Sequence, residues 1–187
     1  MTDLIPLTAL GATELRSERF GALTIAEDDS YGLASLTLRK GQSAPTPFGL
    51  TLPEAGFATQ SGSTSAIWTG PDQWLILGEG KGQTDFAAEV LAQAPQASVT
   101  EQTEGLVCFD IRSDVEVLPI AALMSKLVNL PPENYATGRA TRTGLEHMTV
   151  FLYQRDERHL SILGMRSYAG SLWHALVTAA ARLAQAA

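Results

Sequence analysis

At 187 residues and 20.0 kDa the chain is the size of one domain, or of two small halves that share a core. Its 45% hydrophobic and 18% charged content excludes general disorder, collagen and a coiled coil, and no apolar run approaches the roughly 20 residues of a membrane span. The net charge of −7, without any basic stripe, argues against nucleic acid or an anionic membrane as a partner.

Met1-Thr2-Asp3-Leu4 carries no basic start and the first cation is Arg16, so no secretory signal is expected and the cytoplasm is the default location. Residues 1–20 read as a partly extended arm with Leu4, Ile5, Leu7 and Leu10 as anchors. Leu33 to Arg39 alternates as a strand does. Gln42 to Thr64, rich in Pro, Gly, Ser and Thr, reads as a long connection with a short turn near Leu50. The runs Ser65 to Trp68 and Gln73 to Leu77 flank Gly70-Pro71-Asp72 and predict a β-hairpin. After Gly78-Glu79-Gly80-Lys81-Gly82, the residues Phe86, Val90, Leu91 and Ala94 fall on one helical face, which Pro95 ends.

Leu106 to Arg112 reads as a strand. A helix beginning between Glu116 and Leu118 carries Ile120, Leu123, Met124, Leu127 and Val128, and Pro131-Pro132 stops it. A second hairpin joins Glu146–Tyr153 to His159–Leu163. The last helix, with Ser167 as its expected N-cap, places Tyr168, Leu172, Ala175, Leu176, Ala179 and Leu183 on one stripe. Leu75-Ile76-Leu77-Gly78 and Ser161-Ile162-Leu163-Gly164 each end a hairpin, and Phe86 and Leu172 follow at the same offset. A duplicated hairpin–helix unit of ferredoxin-like kind follows from this. The expected fold is α+β: a two-layer arrangement of antiparallel sheet and helices in a single domain over 1–187, with halves of about 21–97 and 98–187.

No catalytic constellation stands out. The glycines at 78, 80 and 82 match neither G-x-G-x-x-G nor a P-loop, although Glu101 lies near the distance of a ribose-binding acid. His147, His159 and His174 have no metal-ligand spacing; packing at the core edge is the expectation for His174. Cys108, the one cysteine, sits in the apolar run Leu106-Val107-Cys108-Phe109 and reads as a buried small hydrophobe. Asp72 is read first as turn chemistry. The arginines at 139, 142, 155, 158 and 166 are either strand-end charges or a basic face for an acidic partner.

Three segments in order resemble the gamma subunit of heterotetrameric sarcosine oxidases: Ile67-Trp68-Thr69-Gly70-Pro71-Asp72-Gln73-Trp74-Leu75; Leu118 to Leu130 with Gly138-Arg139-Ala140-Thr141-Arg142-Thr143; and Met165-Arg166-Ser167-Tyr168-Ala169-Gly170-Ser171-Leu172-Trp173. The resemblance covers most of residues 30–185. It implies a fold similar to the folate-binding domain of aminomethyltransferases and an accessory role without catalytic residues. It also implies alpha, beta and delta subunits as partners. FAD, FMN, NAD and tetrahydrofolate are then held in those partners and none in this chain. No catalytic, cofactor or metal residue carries over. Trp68, Trp74, Arg142, Arg166 and Tyr168 are the candidate interface residues. An accessory subunit is also expected to expose apolar side chains, with the arm as one place for them. The alternative is a stand-alone folate-binding or aminomethyltransferase-like enzyme, which needs a pocket between the halves with Asp72 or Glu146 facing a pterin. A nucleotide module built on Gly78–Gly82 ranks third.

Overall fold

The computed structural model describes residues 5–185, so the expected anchor Leu4 and the N-terminal charge reading lie outside the described residues. Eleven strands and three helices follow in the order β1 (Ser17–Phe20), β2 (Leu23–Asp28), β3 (Gly32–Leu38), β4 (Ala58–Ser61), β5 (Thr64–Gly70), β6 (Gln73–Gly78), α1 (Phe86–Gln93), β7 (Ala97–Glu101), β8 (Leu106–Ser113), α2 (Leu118–Met124), β9 (Ala140–Leu145), β10 (Met148–Asp156), β11 (His159–Met165) and α3 (Ala169–Gln185). All the pairings are antiparallel. One sheet has the order β4-β5-β6-β3-β7, the other β1-β2-β8-β11-β10-β9.

Each sheet buries one face under helices. Phe86 and Val90 of α1 pack on Leu36, Trp74 and Ile76. Ile120, Leu123 and Met124 of α2 and Leu172, Trp173 and Leu176 of α3 pack on Ile25, Phe109, Ile111 and Ile162. Alternation sends the intervening residues to the other face. There Leu33, Ile67, Leu75 and Leu77 of the first sheet meet Cys108, Ala140, Tyr153 and Leu163 of the second. The α+β antiparallel reading holds, and the helix-on-sheet unit occurs twice, stacked sheet to sheet. No described helix is long and apolar enough to cross a membrane.

The duplication is visible in the strand order. Reading β4-β5-β6-β3-β7 against β9-β10-β11-β8-β2 matches β6 with β11, and the helix after each, α1 with α3. The fifth place is filled by β7 in one sheet and by the N-terminal β2 in the other. The sheets therefore do not follow the expected halves. β1 and β2 join the second sheet, and position 97 begins a strand of the first.

Several expectations are corrected. The stretch 42–64 contains β4, and the partly extended arm ends in a paired strand at residues 17–20. The regular part of α2 ends at Met124, with turns carrying the chain on to Val128, whose N–H still bonds the Met124 carbonyl at 2.9 Å. Ser167 caps nothing: Arg166–Tyr168 form a 3-10 turn before α3, which leaves Tyr168 exposed instead of on the buried stripe.

Candidate functional site

Polar side chains gather between the sheets, where apolar contacts would be expected. Asp110 on β8, His159 and Ser161 on β11, Arg155 on β10 and Tyr31 before β3 meet there. The ladder between β10 and β11 slips by one residue between Gln154 and Asp156, beside Arg155. The Asp110 carboxylate is buried and accepts from Ser161 Oγ at 2.6 Å. Its other oxygen lies 2.8 Å from His159 Nε2 and 3.3 Å from Arg112 Nη2. The His159 imidazole thus lies against the carboxylate without a well-aligned hydrogen bond. Arg155 Nε donates to Ser161 Oγ at 2.6 Å. Its guanidinium lies between the rings of Tyr31 and Tyr153, 4.5 and 4.6 Å from their centroids. Burial raises the carboxyl pKa of Asp110, but His159, Ser161 and Arg155 outweigh it and hold the group below its ordinary value.

This cluster does not make a nucleophile. Ser161 donates to the carboxylate, and no histidine stands between the two as a base would. Burial, reinforced by Asp110, pushes the Cys108 thiol up, the opposite of activation. The cluster joins the sheets; its chemistry is structural. It was missed in the sequence because its members lie as far apart as positions 31 and 161. The signal was the polar face of β8, where Asp110 and Arg112 share a side with Cys108.

The singled-out residues scatter. Trp74 is a correction: it is buried, and its Nε1 donates to the Pro53 carbonyl at 2.8 Å, so it anchors the 42–64 connection and presents no surface. Trp68, its cross-strand partner, is half-buried on the same core. Arg142 is exposed above Phe151. Arg166 and the exposed Tyr168 lie together at the foot of α3, where Arg166 bonds the arm. The arginines do not form one basic face. Arg139 covers Phe57, Arg155 is enclosed between the sheets and Arg158 sits in a hairpin turn. His174 is exposed on α3 instead of packed at the core edge.

Asp72 and Glu146, the acids offered for a pterin, are exposed turn residues with φ of 56° and 44°, and neither lines the larger cavities. The Gly78–Gly82 turn offers no phosphate site. Two of the first-turn N–H groups of α1 are already taken by carboxylates, Ala88 N by Asp85 and Ala87 N by Glu101. Glu101, set aside for a ribose, thus caps a helix. Desolvation raises its pKa, but the Thr103 hydroxyl and three backbone N–H groups hold it low. Gly82 packs against the Asp29 carbonyl, where any Cβ would collide. Among the described residues no three His, Cys, Asp or Glu side chains are arranged to hold a metal.

Of the cavities that open at the surface, two lie beside the arm and the helices of the second sheet. One, of about 450 Å³, lies under the arm and is lined by Leu7, Glu27, Asp28, Asp29, Tyr31 and Arg166 among others. The other, an apolar groove of about 390 Å³, lies between α2 and α3 beside Phe20 and Leu118.

No family model matches the chain. A curated relative, the sarcosine oxidase subunit gamma of Corynebacterium sp. (strain U-96), is 27% identical over 183 residues, 91% of this chain and 84% of the relative. This chain resembles a sarcosine oxidase gamma subunit. A chain of the solved heterotetrameric sarcosine oxidase from Corynebacterium sp. U-96, in complex with pyrrole 2-carboxylate, superimposes with a TM-score of 0.70 at 20% identity, over 87% of this chain and 85% of that one. Aminomethyltransferase T of the Bartonella henselae glycine cleavage system superimposes with a TM-score of 0.56 at 12% identity, over 83% of this chain and 48% of that protein. The fold shared with an aminomethyltransferase agrees with the fold expected from the gamma-subunit resemblance.

Proposed function

We propose that this chain is an accessory, non-catalytic gamma subunit of a heterotetrameric sarcosine oxidase. Its complex oxidatively demethylates sarcosine to glycine with formation of hydrogen peroxide, and passes the one-carbon unit to tetrahydrofolate. The alpha, beta and delta subunits do this chemistry and hold FAD, FMN, NAD and folate, and the assembly works in the cytoplasm. The observation that carries the reading is the 27% identity to a gamma subunit along 91% of the chain. Exposed apolar side chains on the arm, Ile5 at 68% and Leu7 at 53%, support it, because a lone monomer gains nothing by displaying them.

The test is to tag the chain in its native host and purify it. A yellow complex with larger subunits that turns over sarcosine is expected. A colourless, lone 20.0 kDa protein overturns the reading.

A further inference from the structure

The arm is held down in an unusual way. Glu27, buried on β2, accepts from the backbone N–H of Leu10 at 3.1 Å and of Arg16 at 3.4 Å. Arg166 Nη2 donates to the Leu7 carbonyl at 3.1 Å. The backbone is fastened, yet Ile5 and Leu7 face out while Ala9 and Leu10 pack on the core. Leu7 stands beside the Met165–Tyr168 turn, where Met165 is 50% and Tyr168 53% exposed. Under this rim opens the 450 Å³ recess.

The recess is acidic. Glu27, Asp28, Asp29 and Glu104 line it against one cation, Arg166, which already pairs with Glu104 at 3.4 Å. Asp28 Oδ1 accepts from Ser30 N at 2.8 Å, and neither Asp28 nor Asp29 has an ion-pair partner among the described residues. Tyr31, itself 8% exposed, lines the same recess. Unpaired acids in a recess ask for a cation. An exposed rim of leucine, methionine and tyrosine asks for an apolar surface. A small free ammonium ion would answer the first and leave the rim bare. A lysine or arginine on a protein surface answers both, because its apolar stem lies along the rim while its charge reaches in.

We propose that the arm and the acidic recess form the docking surface for a larger subunit, which inserts a lysine or arginine toward Asp28 and Asp29 and lays apolar side chains on Leu7, Met165 and Tyr168. This rests on the subunit reading above and sharpens it: the partner face is basic, not acidic. The apolar groove at Leu118, which has no such charge, serves as the control surface.

The tagged full chain is recovered from its host at about 0.05 M salt, and the larger subunits are identified by mass and flavin absorbance. Leu7→Glu and Asp29→Lys should each lower their recovery by about tenfold or more, the size of one lost charged or apolar contact. Leu118→Glu should leave it unchanged. Raising salt to about 0.5 M should strip the subunits from the unmodified chain, since the screening length shrinks severalfold. Full recovery with both Leu7→Glu and Asp29→Lys overturns the docking surface and spares the subunit reading. So does a wild-type complex indifferent to that salt step. If the unmodified chain recovers no larger subunit, the subunit reading falls and the docking surface with it.

Discussion

Asp110 shows how one residue joins two sheets. Its carboxylate is held ionised in the interior by His159, Ser161 and Arg155, and each of those loses a partner if the charge goes. Because its folded pKa lies below the unfolded value of about 3.9, the stability it contributes is fully present above that value. It is lost as the pH falls through the lower, folded pKa. Asp110→Asn should therefore lower the unfolding free energy read from urea denaturation at pH 7 by roughly 3–5 kcal/mol, and flatten the acid limb of the stability curve. A variant that kept the full acid limb would show that other carboxylates carry it. His147 makes the opposite case. Glu146 and His147 form the two-residue turn between β9 and β10 with φ of 44° and 68°, a conformation that favours Asn-Gly. His147→Gly should raise stability by about 1 kcal/mol, read as a higher melting temperature. No such gain would mean that the turn is not strained.

Among the elements, the repeat has a physical cause in two glycines. Gly78 ends β6 and Gly164 lies at the matching place in β11. A Cβ on Gly78 would come within 2.6 Å of the Phe86 ring, and one on Gly164 within 2.9 Å of a Leu172 methyl. Each glycine makes room for the first anchor of the following helix. Gly78→Ala should cost about 2–3 kcal/mol, since a ring cannot yield, and Gly164→Ala less, since a leucine methyl can turn. Equal losses in thermal unfolding would contradict this account. Both pairs were legible in the sequence, as were the hairpins and the apolar faces of α1 and α3, because these depend on neighbours in the chain. β4, β7 and β9 were not. They are short strands or edge strands in polar or glycine-bearing stretches, and their pairing is decided by strands far away. Of the candidate interface residues, Tyr168 is exposed and Arg166 partly so, but Trp74 is not: a tryptophan that could have faced either way found a carbonyl inside.

At the scale of the whole molecule, the chain's beginning completes its end. β2 inserts beside β8, pairing Ile25 with Ile111 and Leu23 with Ser113, and takes the place in the second sheet that β7 takes in the first. Leu23 and Ile25 are buried under the α2 and α3 layer with Phe109 and Trp173, whose ring centroids lie 5.3 Å apart. The core of the second sheet thus cannot be assembled from residues 98–187 alone, despite the repeat. The arm before β1 contributes differently. It adds Ala9 and Leu10 to the edge of that core and otherwise displays itself. A chain beginning at residue 12 should then fold cooperatively, with a modestly lower melting temperature. A chain beginning at residue 29 should lose the cooperative transition, because two strands and the cover of Ile111 go with it. Tryptophan fluorescence through a thermal ramp reads the difference, since Trp173 reports on this core. A cooperative melt from the shorter chain would mean that β8 can stand as an edge and that the second sheet is self-sufficient.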